Sequence, residues 1–139
     1  MPNSDLDRVP LHSTENSTPI TLTIENKVIP AILYNRATAK ELLAKLPHKV
    51  RLGRGPVDYC GGMGFNIKYT KQEAQDGFRN GELAYWIPGG DFVIFIDKEE
   101  ESLSVSQDCI MIGKLTKPAD LEIIKKMKGS IEVLIQPAK

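Results

Sequence analysis

Cysteine and histidine are scarce in this sequence, with two of each among 139 residues. Cys60 and Cys109 lie far apart and form no C-x-x-C pair. Neither a disulfide framework nor a zinc site is expected, and a reducing cytoplasm is the simplest setting. His12 and His48 are too few to build a histidine metal centre, so no metal and no cofactor are expected. An excess of one charge sign is also missing: 18 basic and 18 acidic side chains cancel. Nucleic acid is therefore disfavoured as a partner, because domains that bind it are usually basic. No apolar run approaches the roughly 20 residues of a membrane-spanning helix. Met1 to Pro19 lacks the apolar core of a signal peptide. No membrane partner is expected, and Asn16-Ser17-Thr18 is read as a chance match to a glycosylation acceptor.

What is present fits one soluble domain, with 41% apolar and 26% charged residues. Residues 1–19 are rich in Ser, Thr, Asn, Asp and Pro and are expected to form a flexible N-terminal tail. The ordered domain is expected over 20–139. Thr21 to Ile24 alternates polar and apolar, as a half-buried strand does, and Val28 to Leu33 reads as its return. Pro30 lacks an N–H and marks an edge or bulge. Thr38-Ala39-Lys40-Glu41 has the capping-box pattern, and Ala39, Leu42, Leu43 and Leu46 follow at helical spacing.

Strands are predicted over Lys49–Leu52, Phe65–Tyr69, Leu83–Trp86, Phe92–Ile96, Cys109–Ile112 (closed by Gly113) and Ile131–Ile135. A second helix is predicted over Pro118–Met127, with Lys125, Lys126 and Lys128 toward its C-terminal end and Gly129 beyond it. Glu99 to Asp108 reads as an exposed loop. Gly61-Gly62-Met63-Gly64 lacks the G-K-[ST] ending of a P-loop and is read as a turn. Short strands, turn signals and two isolated helices point to a closed β-barrel or sandwich with a helix at each end.

Three stretches, in order along the chain, resemble cyclophilins. These are Thr38-Ala39-Lys40-Glu41-Leu42-Leu43, Pro88-Gly89-Gly90-Asp91-Phe92 and Met111-Ile112-Gly113-Lys114-Leu115. A closer resemblance is to a small, mostly prokaryotic family of cyclophilin-like proteins, some of whose members are thought not to be isomerases. Gly81-Glu82-Leu83-Ala84-Tyr85-Trp86-Ile87-Pro88-Gly89 resembles its G-D-x-A-Y-W-x-P-G signature, and Ile112-Gly113-Lys114-Leu115 its I-G-K-I. The resemblance implies a mainly β fold: a closed eight-stranded barrel with two capping α-helices.

Prolyl isomerisation needs no nucleophile. It needs a group that stabilises a twisted amide, against a barrier of about 18–20 kcal/mol. In cyclophilins an Arg serves this end and a Gln orients the peptide, eight positions apart. Here Arg79 precedes Pro88 by nine, and proline has no side-chain donor or acceptor. Arg79 is thus a weak catalytic candidate, read first as a solvated loop arginine; Arg51 is the other. No catalytic residue is assigned.

The binding candidates are Phe65, Tyr85, Trp86, Pro88 and Asp91, gathered around the Pro-Gly-Gly break. Tyr85 and Trp86 are neighbours on one strand and must face opposite ways, one into the core and one out. Asp58 and Asp91 are a conceivable carboxylate pair whose separation the sequence leaves open. Cys60 has no basic neighbour to activate it and reads as an incidental thiol. The leading expectation is non-catalytic binding of a small ligand or peptide beside Trp86. The alternatives are a peptidyl-prolyl isomerase, and an interaction module that contacts another chain, including a second copy of itself.

Overall fold

The computed structural model describes residues 4–104 and 108–138. The strands are β1 (Thr18–Ile24), β2 (Lys27–Leu33), β3 (His48–Arg54), β4 (Asp58–Gly62), β5 (Ala74–Gln75), β6 (Glu82–Trp86), β7 (Asp91–Phe95), β8 (Cys109–Leu115) and β9 (Ser130–Pro137). The helices are α1 (Ser4–Asp7), α2 (Ala37–Leu43) and α3 (Pro118–Lys125). Pairing runs β2-β1-β9-β3-β4-β7-β6-β8, and β8 returns to β2. Those eight antiparallel strands form a closed barrel, and the two-residue β5 lies against β8. Closure leaves no long unpaired edge, which is how such a sheet avoids edge-to-edge association.

Alternation sorts the side chains. Leu22, Leu52, Tyr59, Leu83, Tyr85, Phe92, Ile94, Ile110, Ile112 and Val133 fill the barrel interior. A second cluster lies on the opposite face of β6, β7 and β8, where Phe78 stacks on Phe95 at 3.9 Å beside Ala84, Val93, Cys109 and Met111. β2 leads into α2 and β8 leads into α3, and β2 and β8 are antiparallel. The two helices therefore sit at opposite barrel ends. Leu42 and Ile124 plug the interior from them, each with no exposed surface.

Each helix is short and would be marginal alone. Both are held by side chains from distant segments. The capping box expected at Thr38 is replaced by another arrangement. The helix begins two residues earlier, with Arg36 as N-cap and no side-chain cap bond from it. Glu73 accepts instead from the Ala37 and Thr38 amides at 3.2 Å each and from the Thr38 hydroxyl at 2.6 Å. At the other helix, the Arg54 guanidinium donates to the Lys125 and Met127 carbonyls, and the Tyr59 hydroxyl donates to the Met127 carbonyl at 2.7 Å.

Other expectations need correction. Phe65 to Tyr69 is not a strand. β4 and β7 already have partners on both sides, so no ladder is open to it. The alternation instead reflects Ile67, buried in the core, and Phe65 against the His48 ring at 4.5 Å. Gly113 does not end β8, which runs on to Leu115. A Cβ there would overlap the Ile32 carbonyl oxygen, so glycine lets β8 and β2 approach at the closing seam. Gly61 does the same for β4 against the Arg51 carbonyl.

The stretch from Glu99 is not simply exposed. Ser102 is buried, accepts from the Phe78 amide and donates to the Phe78 carbonyl. Its continuation over 105–107 lies outside the described residues. The described residues before β1 lie along the barrel where a flexible tail was expected. Val9 is buried, and Arg79 donates to the Leu6 and Val9 carbonyls. No helix among the described residues is long and apolar enough to cross a membrane.

Candidate functional site

The Pro-Gly-Gly break is the hairpin turn between β6 and β7. Ile87 to Gly90 form it, Trp86 pairs with Asp91 across its base, and Gly90 takes φ 65°. Only glycine enters that left-handed region without strain. Gly89 has a second role. A Cβ there would lie 2.8 Å from the Trp86 ring, so the bare backbone lets the indole fold over the turn. Tyr85 points inward and is buried, whereas Trp86 points outward and is 39% exposed.

Beside Trp86 is a small cleft of about 180 Å³ lined by Asp58, Cys60, Val93, Phe95 and Cys109. The strand register explains it. Asp58 and Cys60 alternate outward on β4, Val93 and Phe95 on β7, and Trp86 lies opposite Cys109 on β8. The floor is apolar and one carboxylate stands at its margin. Asp91 lies opposite Gly62, four residues along β4 from Asp58, so the two carboxylates do not form a close pair.

Burial and then the Asp91 charge push the Asp58 carboxyl above its ordinary value. Burial followed by the same two carboxylates raises Cys60. Burial first, then Asp58 and Asp108, push Cys109 up to about 12. Both groups are thiols at neutral pH, and neither is set up as a nucleophile.

The raised Asp58 pKa has a consequence for stability. Between the ordinary carboxylate value and the raised one, the folded protein binds more protons than the unfolded chain. Stability from this group is therefore lost as pH rises through that window. Asp58→Asn is expected to melt above the wild type at pH 7, with the difference closing at pH 3. Thermal melts of both proteins across this range check it, and an unchanged gap would contradict it.

The other candidates are scattered. Phe65 is half-buried on the barrel end with Lys45 Nζ 5.4 Å from its ring centroid. Pro88 is exposed on the turn and Asp91 half-buried at its base. Arg51 lies on β3, its side chain 71% exposed and 3.9 Å from Glu132. Arg79 is not a solvated loop arginine. Its guanidinium holds the N-terminal segment, and it lines a different cavity from Trp86.

That second cavity, about 390 Å³, was not foreseen. Tyr34 donates to Glu82 at 3.0 Å and the Arg79 amide donates to the other Glu82 oxygen at 2.9 Å. The His12 ring packs tilted against Tyr34, centroids 5.2 Å apart, and its Nε2 lies 2.8 Å from Gln75 Oε1. Burial, the leading cause in each case, raises Glu82 and Tyr34 and lowers His12. His12 was missed because it belongs to the segment read as a tail. Glu82 was missed because it reads as a strand start. The turn signal at Gly81, which takes φ 92°, was the available hint.

Comparison with known proteins agrees with this architecture. No curated protein matches the chain. A solved structure, that of the hypothetical protein AF2241 from Archaeoglobus fulgidus, superposes with a TM-score of 0.68 at 18% identity, covering 88% of this chain and 95% of that one. At that identity the likeness speaks to fold alone. The model of the Cyclophilin-like family matches residues 22–136, from within β1 into β9 and through both signature stretches. The chain belongs to the cyclophilin-like family.

Proposed function

We propose that this protein is a binding domain with no catalytic step of its own, and that a small ligand or a peptide side chain enters the cleft beside Trp86. One observation carries the reading: the lone indole is held outward over an apolar floor, 39% exposed, by a turn whose glycine makes room for it. An exposed aromatic wall above apolar ground is what ligand sites commonly offer. The cleft volume equals about six waters at ~30 Å³ each, which suits a ring or a short chain.

The chemistry favours a cationic head. Asp58 stands at the margin, with Asp91 and Asp108 close enough to act on Cys109, and none of the three forms an ion pair among the described residues. An ammonium or guanidinium would meet carboxylate charge and the indole face together.

A prolyl isomerase reading would require Arg79 or Arg51 to reach the same cleft, and Arg79 is committed to the Leu6 and Val9 carbonyls. A protease-coupled proline-peptide assay separates the two readings. Acceleration that disappears in Arg79→Ala, with the fold intact, would overturn the ranking. For binding, a thermal-shift series with short primary amines is expected to raise the melting temperature of the wild type and not of Trp86→Ala, since only the native state binds. Equal shifts in both proteins would remove Trp86 from the site.

A further inference from the structure

The larger cavity is where the two signature stretches meet. Glu82 of the first pairs directly with Lys114 of the second across β6 and β8. Its walls also come from Pro10 to His12, from Arg79 and Asn80, and from Lys117, Pro118 and Leu121 at the start of α3. The Trp86 cleft shares no lining residue with it.

The polar groups of this cavity are unevenly used. Its carboxylates are occupied: Glu82 accepts from the Tyr34 hydroxyl and the Arg79 amide, and Glu99 accepts from the Asn80 amide. Its cations are less so. Lys114 and Lys117 form no ion pair within 4.0 Å among the described residues, although the Lys114 charge acts on Glu82 across the strand pair. Arg79 Nε and Asn80 Oδ1 are both buried without a hydrogen-bond partner, although the far end of the guanidinium is engaged. Neither atom is open to the cavity, so the guanidinium acts on an occupant through its charge. Apolar surface accompanies the charge. Leu11 is 78% exposed at the rim, with Leu115, Leu121 and two prolines around it.

We propose that this cavity is a second binding site, for a small organic carboxylate with an apolar body. Its charge is met by Lys114, Lys117 and Arg79, and its body lies on Leu11 and Leu121. The sorting of ligands follows from charge. The Trp86 cleft favours a cation, whereas this cavity sets three cations, Arg79, Lys114 and Lys117, against two hydrogen-bonded carboxylates, Glu82 and Glu99. The site stands on its own residues and does not depend on the reading of the Trp86 cleft.

The test is an NMR titration of the full chain with hexanoate, run beside hexanol and hexylamine. Hexanoate is expected to give saturable amide shifts at Leu11, Gly81 and Lys114–Thr116, weakening as salt is added. The double variant Lys114→Gln/Lys117→Gln also removes a charge that acts on Glu82, so a thermal melt first establishes that it is folded at the titration temperature. Its hexanoate affinity is expected to fall about tenfold or more. The proposal is overturned if hexanol shifts the same amides as strongly, if no saturable response appears up to tens of millimolar hexanoate, or if the double variant binds like the wild type.

Discussion

Gly113→Ala is expected to cost about 3 kcal/mol or more, lowering the melting temperature by on the order of 10 °C for a chain of this length. The reason is local and steric. Gly113 faces Leu33 across the β2–β8 seam, and a Cβ would occupy the space of the Ile32 carbonyl oxygen. A flexible side chain could yield, but backbone cannot without pulling apart the pairing that closes the barrel. That pairing is short, covering Ala31 to Leu33 on β2, so little ladder remains to absorb a shift. Gly53→Ala and Gly62→Ala are the controls, because a Cβ at either meets nothing within 4 Å. These two are expected to be neutral or slightly stabilising, since glycine loses more backbone entropy on folding. Thermal or urea unfolding of the three variants checks the contrast. A Gly113→Ala protein melting within about 2 °C of the wild type would show that the seam is looser than described.

Glu73→Ala is expected to cost about 2–3 kcal/mol, more than the roughly 1 kcal/mol of an ordinary helix cap. Three donors lose their acceptor together: the amides of Ala37 and Thr38 and the Thr38 hydroxyl. Thr38 is fully buried, so its hydroxyl has no water to turn to. Arg36, 3.7 Å from the same carboxylate, also loses its counter-charge. Glu73→Gln keeps one carbonyl acceptor and is expected to lose roughly half as much. Because these contacts anchor the helix that carries Leu42 into the barrel, amide exchange should rise first across 40–45. Uniform loss of protection would instead mean that α2 and the barrel unfold as one unit.

Alternation made most of the strands legible, while the closed eight-stranded barrel came from the family resemblance, and β4, whose Gly61 and Gly62 read as a turn, was not anticipated. Leu22 and Ile24, Leu83 and Tyr85, Phe92 and Ile94, and Ile131, Val133 and Ile135 all carry the interior on every second residue. What could not be read is what depends on distance in space. Thr38 looked like the owner of its own cap because the pattern is local, and nothing in Thr38-x-x-Glu41 reveals a carboxylate 35 residues away. Gly113 looked like a terminator because glycine usually ends strands, and its reason for being small lies in a strand from the other half of the chain. Sequence placed Tyr85 and Trp86 on opposite faces but could not assign them. Closure of the sheet puts Tyr85 inside. The Tyr34–Glu82–His12 group joins three segments, one of them resembling a tail in composition, and no spacing rule connects them.

The most direct test of the binding account uses the protein's own probe, since Trp86 is the sole tryptophan. Its fluorescence is to be followed while pentylamine, and separately pentanoate, is added to the wild type and to Asp58→Asn. The account predicts a saturable change with the amine, weakened by about tenfold in Asp58→Asn, and none with the carboxylate. A silent indole with the amine, or the same response to both ligands, would contradict it.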